Sequence, residues 1–337
     1  MGIWHELLKI AVNAPSPHNV QPWRLKIINE AEAELYIDST RTLPKEDVTG
    51  SFIILTMGLF IEALAILADL RSLRLAHEMY HEPEWLAPAI LEATQPTLIP
   101  FAKLTLKPSH SEKGRYDEPL FLKRRTSRLC LHDREIPAEV FDELKKVGIE
   151  WHQTFSVVTD TQQIERLLKL NTDAVFEDLN SAGYHDEITE WFRYSDRDAR
   201  DHLDGLDARC MNVAPINLWL AAQFPKLMLF PFTRQILAKV YRSQSGKVRA
   251  LGVISGGFWK PVDAIDAGRF LMRFWLETAL HNVYIHPYGN LVTNPRAAEE
   301  MEKELGVRDI WLIFRIGYSD EPPKSYRLPI ERTLIAD

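Results

Sequence analysis

Residues 55–73 read LTMGLFIEALAILADLRSL, and residues 265–283 read IDAGRFLMRFWLETALHNV. Set against each other at a constant offset of 210 positions, the two segments keep Gly58 opposite Gly268 and Phe60 opposite Phe270. Self-similarity at a fixed spacing is the signature of a repeated structural unit. The likeness runs on, since FAKLTLKPS from 101 and DEP at 117 echo IWLIFRIGYSDEP at 310–322. Two copies of one fold are therefore expected, each with a long helix at its centre. The first of these, FIILTMGLFIEALAILADL at 52–70, is nearly long enough to cross a bilayer. Glu62 at its middle, and Arg269, Arg273 and Glu277 in the matching segment, argue instead for a helix buried in protein, because ionised side chains are costly in lipid.

The beginnings of the copies have diverged. In the first, Trp4, Leu7, Leu8 and Val12 keep helical spacing, and Trp23, Leu25 and Ile27 alternate with polar residues as in a strand. Between them lies APSPHNVQPW, 14–23. Pro15, Pro17 and Pro22 restrict φ and bias the residues before them toward extended geometry, so Ser16, Asn19 and Gln21 are held in set directions. That suits a planar polar ligand, although the same residue types also make an ordinary helix-exit loop. In the second copy, REIPAEVFDELKKVGIEWHQTFSVVTD takes the corresponding place, with a strand at Phe155 and Val157 and no Pro/Asn loop. Ahead of it stands RRTSR, 124–128, for which the first copy has no counterpart. In extended chain Arg124, Thr126 and Arg128 face one way and suit a phosphate, two guanidinium forks and one hydroxyl together. Standing alone, such a cluster is also a solvated surface patch.

PSPHNVQPW resembles the PSSxNxQPW loop of the FMN-dependent nitroreductase family, with Pro17 and His18 where that family more often has small residues. RRTSR, including Arg125, resembles its RxSxR phosphate segment with Thr126 for Ser. In the family the arginine segment opens the subunit and the loop follows; here the order is inverted, with 100 residues between. The resemblance implies an α+β, nitroreductase-like fold in two homologous halves, each a mainly antiparallel sheet flanked by helices, packed as an intramolecular pseudo-dimer about the two long helices. The halves are expected at 1–122, which keeps the loop, and 123–337, which keeps the phosphate segment. Family flavins sit at a homodimer interface, so a fused pair implies one FMN per chain and an empty second site. The resemblance also brings in YIHPYGN at 284–290, where Ile285, His286 and Pro287 match the segment whose backbone approaches the flavin N5 edge. PPKSYRLP at 322–329 matches the C-terminal segment that returns a basic residue to the phosphate, with Arg327 the better match and Lys324 the weaker. Donors near the flavin N1/C2 region are expected from the Arg124 neighbourhood and the backbone of the Ser16 loop.

The implied chemistry is ping-pong transfer of hydride from NAD(P)H, a transient reductant, through flavin N5 to a nitroaromatic, quinone or similar electron-poor small molecule. The flavin carries it, and no catalytic side chain is assigned. His286 is a candidate proton donor, and a lone turn histidine is also commonly just a turn residue. An insertion at about 175–250 has no match in the first copy; its Trp, Phe and charged residues read as short amphipathic helices covering a site, or as a structural extension. On the first reading Trp191, Phe192, Arg193, Trp219 and Phe230 lie nearest the substrate. A lid that excludes NAD(P)H gives the alternative function, an FMN-sequestering or redox-sensing protein without turnover; a flavin-free scaffold is a third.

Composition narrows the field. A net charge of −7 argues against a nucleic-acid partner, which needs an extended basic face. The two cysteines, Cys130 and Cys210, and the eleven histidines give no disulfide framework or metal-ligand spacing, and both cysteines are expected to be buried or incidental. LGVISGGFWKP at 251–261 lacks a GxGxxG spacing and reads as a core strand ending in a turn. No membrane partner and a cytoplasmic location are expected, as a monomeric pseudo-dimer or a higher oligomer.

Overall fold

The computed structural model describes residues 2–110, 114–226, 230, 235, 238, 239 and 246–336. Parts of the insertion, 227–229, 231–234, 236, 237 and 240–245, lie outside the described residues. The chain forms two compact units: Met1–Arg124 with Gly257–Glu277 and Arg327–Asp337, and Arg125–Gly256 with Thr278–Tyr326.

In the first unit the N-terminal helix, Ile3–Ala11, buries Trp4, Leu7, Leu8 and Ala11, the stripe that its apolar spacing forecasts. Strand β1 (Trp23–Ile27) and β2 (Glu32–Asp38) form an antiparallel hairpin from Trp23 opposite Ile37 to Ile27 opposite Ala33. Its turn is built by Asn29, whose Oδ1 accepts from the N–H groups of Ala31 and Glu32. With β3 (Leu73–Met79) and β4 (Leu98–Pro108) they make a four-stranded sheet in the order β1-β2-β4-β3, antiparallel throughout. Beyond β1, Leu334 bridges to Leu25, and a short helix, Ile330–Thr333, precedes it, so the tail of the chain covers that edge.

The long helix Ser51–Asp69 is apolar and long enough to span a bilayer, yet it is buried on nearly every face within this unit. The helix Pro261–Leu280 crosses it at the two glycines of the repeat. A Cβ on Gly58 would run into the carbonyl oxygen of Ile265, and one on Gly268 into that of Leu55. The clash is reciprocal at the same 210-residue offset, so both backbones approach closely only because neither residue has a side chain. Glu62, fully buried, receives Arg269 at 2.9 Å and Arg273 at 2.5 Å. Phe60 stacks on Trp23, with centroids 4.7 Å apart.

The second unit holds β5 (Gln153–Val158), β8 (Leu251–Gly256), β9 (Tyr284–Pro287) and β10 (Ile310–Gly317) in the order β5-β8-β10-β9. Taken in chain order this is the order of the first sheet, first-second-fourth-third, again antiparallel. LGVISG is indeed a core strand. Between β5 and β8 the insertion contributes helices at Thr161–Asp178, Ala182–Glu190, Asp196–His202, Ala208–Met211 and Pro215–Gln223, and a two-residue parallel pair, β6 (Phe192–Arg193) with β7 (Leu206–Asp207). These pack on a small core of their own around Phe192, Ala208, Leu218 and Ala222. Cys210 is half-buried, and Cys130 is exposed rather than buried.

Candidate functional site

In the first unit the loop after the N-terminal helix is backbone-strained. Pro17–Asn19 make one 3-10 turn, and His18, Asn19 and Gln21 have φ of 46, 58 and 53 degrees. Non-glycine residues there carry a cost of about 1–3 kcal/mol each, sustained only where surroundings over-determine the conformation. They do so here. The Gln21 N–H donates to Ser16 Oγ at 3.1 Å, its Nε2 donates to the Asn19 carbonyl at 3.2 Å, and its Oε1 accepts from the Leu328 N–H at 2.8 Å. Arg24, paired with Asp38 at 2.8 Å, donates to the carbonyls of Gln21 and Trp23, and Arg41 donates to that of Val20 at 2.7 Å. Gln21 is thus an interior brace, fully buried with Pro15 and Pro22, whereas Ser16, Pro17, His18 and Asn19 are half-buried. His18 Nε2 lies 2.9 Å from Glu46 Oε2.

Two expected phosphate residues also belong to this unit. Arg124 is buried, donates to the Asn13 carbonyl at 3.1 Å and lies 4.8 Å above the ring of Trp275. Arg327 is half-buried, next to the Leu328 that braces Gln21.

The second unit joins three segments far apart in sequence. Thr126 bridges in parallel to Ile285, and the Ser127 N–H donates to the Ile285 carbonyl at 3.1 Å, so the basic segment runs along the free edge of β9. Arg125 donates to the Pro322 carbonyl at 2.6 Å and pairs with Glu321 at 2.7 Å, while Ser127 and Ser319 share a hydroxyl contact at 2.7 Å. Arg128 reaches the Cys210 carbonyl at 3.5 Å, and its own carbonyl accepts from Asn212 at 3.1 Å. Ile285 is buried, Pro287 half-buried and Lys324 exposed.

Sequence reasoning missed Arg315. On β10, opposite His286 in the ladder and almost fully buried, it donates to the carbonyls of Ser127 at 3.0 Å and Leu129 at 2.9 Å and so sets the path of the basic segment. The signal was present as an arginine inside IWLIFRIG, an otherwise apolar strand. His286 is half-buried against Tyr288, with ring centroids 5.2 Å apart. Burial, and then the charges of Arg128 and Arg315, hold its pKa well below the usual histidine value. At neutral pH it is an uncharged imidazole, which removes the imidazolium that a proton donor would need. Its Nδ1 is buried with no hydrogen-bond partner among the described residues.

The five insertion residues have surroundings of their own. Phe192 is in the insertion's small core and Trp191 is buried. Arg193 is buried in an ion pair with Asp204 at 2.5 Å, and Trp219 and Phe230 are exposed.

No protein-family model matches the chain, and no curated protein matches it. Among solved structures it is similar to the FMN-dependent nitroreductase NfnB from Mycobacterium smegmatis in complex with NADPH, at 14% identity over 65% of this chain and 97% of that one, with a TM-score of 0.40. A nitroreductase-like family protein from Bacillus cereus is 14% identical over 67% of this chain and 99% of that one, with a TM-score of 0.36. A nitroreductase with bound FMN from Bacteroides fragilis is 15% identical over 65% and 97%, with a TM-score of 0.35.

Proposed function

We propose that the chain is a duplicated, nitroreductase-like flavoprotein that binds one FMN and oxidises NAD(P)H at the expense of a nitroaromatic, quinone or similar small electron acceptor. The observation that carries this reading is that, inside the second unit, the basic segment is joined both to the β9 edge at Ile285 and to the stretch from Ser319 to Pro322. The donor set there fits a phosphate: burial first, and then the positive charges of Arg128 and Arg315, keep His286 uncharged, and its buried Nδ1 lacks a hydrogen-bond partner among the described residues. A dianionic phosphate would relieve the accumulated positive charge.

In this reading Arg125, Thr126 and Arg128 hold the phosphate, with Arg124, Lys324 and Arg327 adding to the positive field. Arg315 fixes the basic segment by its carbonyls. Backbone at Ile285, His286 and Pro287 borders the ring, and Ser16, Pro17 and Asn19 offer the polar edge of the strained loop, which Pro15 and Gln21 brace from inside. When bound, FMN supplies the two-electron chemistry between nicotinamide and acceptor. The protein's part is to orient and to keep the ring surroundings dry. The like order of the two sheets supports the duplicated pseudo-dimer, with halves at 1–122 and 123–337 and the insertion as a lid.

The test is steady-state kinetics of FMN-loaded protein with NADH and NADPH against menadione and a nitrobenzoate. The expected outcome is saturable oxidation with parallel double-reciprocal lines. Bound flavin that dithionite reduces and neither nicotinamide does would instead make the protein an FMN store or redox sensor.

A further inference from the structure

We propose that the outer face of the insertion helix Pro215–Gln223 is a peripheral membrane-binding surface that docks on an anionic lipid bilayer; nothing in this depends on the flavin. The helix is apolar on two opposite sides. Leu218 and Ala222, four residues apart, are buried in the insertion's small core. Ile216, Trp219 and Leu220 lie on the other side by helical spacing and are 58%, 42% and 39% exposed. Phe224, the residue after the helix, is 47% exposed and extends the patch, its ring T-shaped against that of Trp219 with centroids 5.9 Å apart. A surface helix normally turns a polar face to water, whereas one that is apolar on both sides has a second surface to cover.

Charge identifies what covers it. Residues 175–211 carry ten Asp and Glu against four Arg, whereas residues 212–246 carry no acid at all and four cations, Lys226, Arg234, Lys239 and Arg242. In a chain of net charge −7 the switch falls just ahead of this helix, and Lys226, two residues beyond Phe224, is exposed. Exposed aromatic and aliphatic side chains beside cations, with no carboxylate to repel lipid phosphates, suit the interface of an anionic bilayer: the rings sink among the acyl chains and the ammonium groups meet the headgroups. A second copy of the chain fits less well, because a two-fold contact about this helix brings Lys226 and its copy to one interface with no carboxylate of the same run to answer them. The contact is peripheral and not a span, so the expectation of no membrane partner gives way at this face alone.

The test is co-sedimentation of the full chain with vesicles of phosphatidylcholine alone and of phosphatidylcholine mixed with phosphatidylglycerol, for wild type, the double variant Ile216→Ser with Trp219→Ser, and Lys226→Gln. All three positions are exposed, so the substitutions leave the core intact, and urea midpoints check that each variant is folded. Wild type is expected to partition onto the anionic vesicles about tenfold better than onto the neutral ones and to lose most of that advantage in half-molar salt. The double variant should partition about tenfold more weakly, from the apolar area it no longer buries, and Lys226→Gln about fivefold more weakly. Wild type that stays in solution with anionic vesicles, or a folded double variant that binds as well as wild type, would overturn the proposal. So would a concentration-dependent dimer that the double variant dissolves, which would give the face to a second copy.

Discussion

The two sheets have the same strand order but opposite habits of connection. In the first unit β1 turns into β2 through residues 28–31, whereas in the second the equivalent strands β5 and β8 are joined through residues 159–250. Closing a flexible loop costs only about 0.6 kcal/mol more for each doubling of its length. Strand order is therefore set elsewhere, by the faces the strands bury: Ala33, Leu35 and Ile37 in one sheet, and the wholly buried β10 in the other. The insertion lowers its own cost by folding on a small core and a buried Arg193–Asp204 pair. A conserved ladder thus tolerates a large excursion at one position, and the excursion is free to acquire a different job.

The sharpest way to break the comparison is at a glycine. Gly58→Leu puts a side chain into the backbone of Ile265 and should cost about 4 kcal/mol or more, or abolish soluble expression. Gly306, at a helix end in the second unit with open space around it and a φ of 64 degrees, should lose only about 1 kcal/mol on change to Ala. Urea unfolding of the two variants measures both.

A second test uses pH, because a titrating group in each unit pulls the opposite way. Burial first, against hydrogen bonds from the N–H groups of Ile53 and Phe52, pushes the Asp47 carboxyl up to about 7. The native state then holds a proton that the unfolded chain releases near pH 4, so this contribution is present in acid and lost as pH rises to about 7, by up to about 4 kcal/mol. His286 is lowered instead, so its contribution is lost as pH falls below about 6.5. Asp47→Asn should make stability rise more steeply with pH between 5 and 8, and His286→Gln should make it fall. An unaltered profile in either variant would contradict the assignment.

A third test concerns the loop. Gln21→Ala removes two side-chain hydrogen bonds around a left-handed backbone and should cost about 2 kcal/mol while weakening FMN binding. Equal flavin affinity in that variant would mean that the loop's shape does not matter to the ligand.

Much of this was legible in the sequence. The Gly58/Gly268 match revealed the repeat and its two long helices, while the close approach of their backbones at those glycines is seen only in the fold. Helix, loop and strand fell where the spacing of Trp4, Leu7, Leu8 and then Trp23 and Leu25 put them. What was hidden depended on distant partners. Gln21 reads as a ligand contact until Leu328 is found against it. His286 reads as a proton donor until its burial, and then the charges of Arg128 and Arg315, are seen to lower its pKa. Phe192 and Arg193 read as a site lining, yet a short segment can equally close on its own core, and hydrophobic periodicity does not distinguish the two.

The central claim is that unlike elements kept by the two copies serve one flavin, and its most direct measurement is FMN stoichiometry by equilibrium titration of wild type alongside Arg128→Ala. The account predicts one FMN per chain, with affinity reduced at least tenfold by the substitution. Two equivalent sites per chain, or one site indifferent to Arg128, would contradict it.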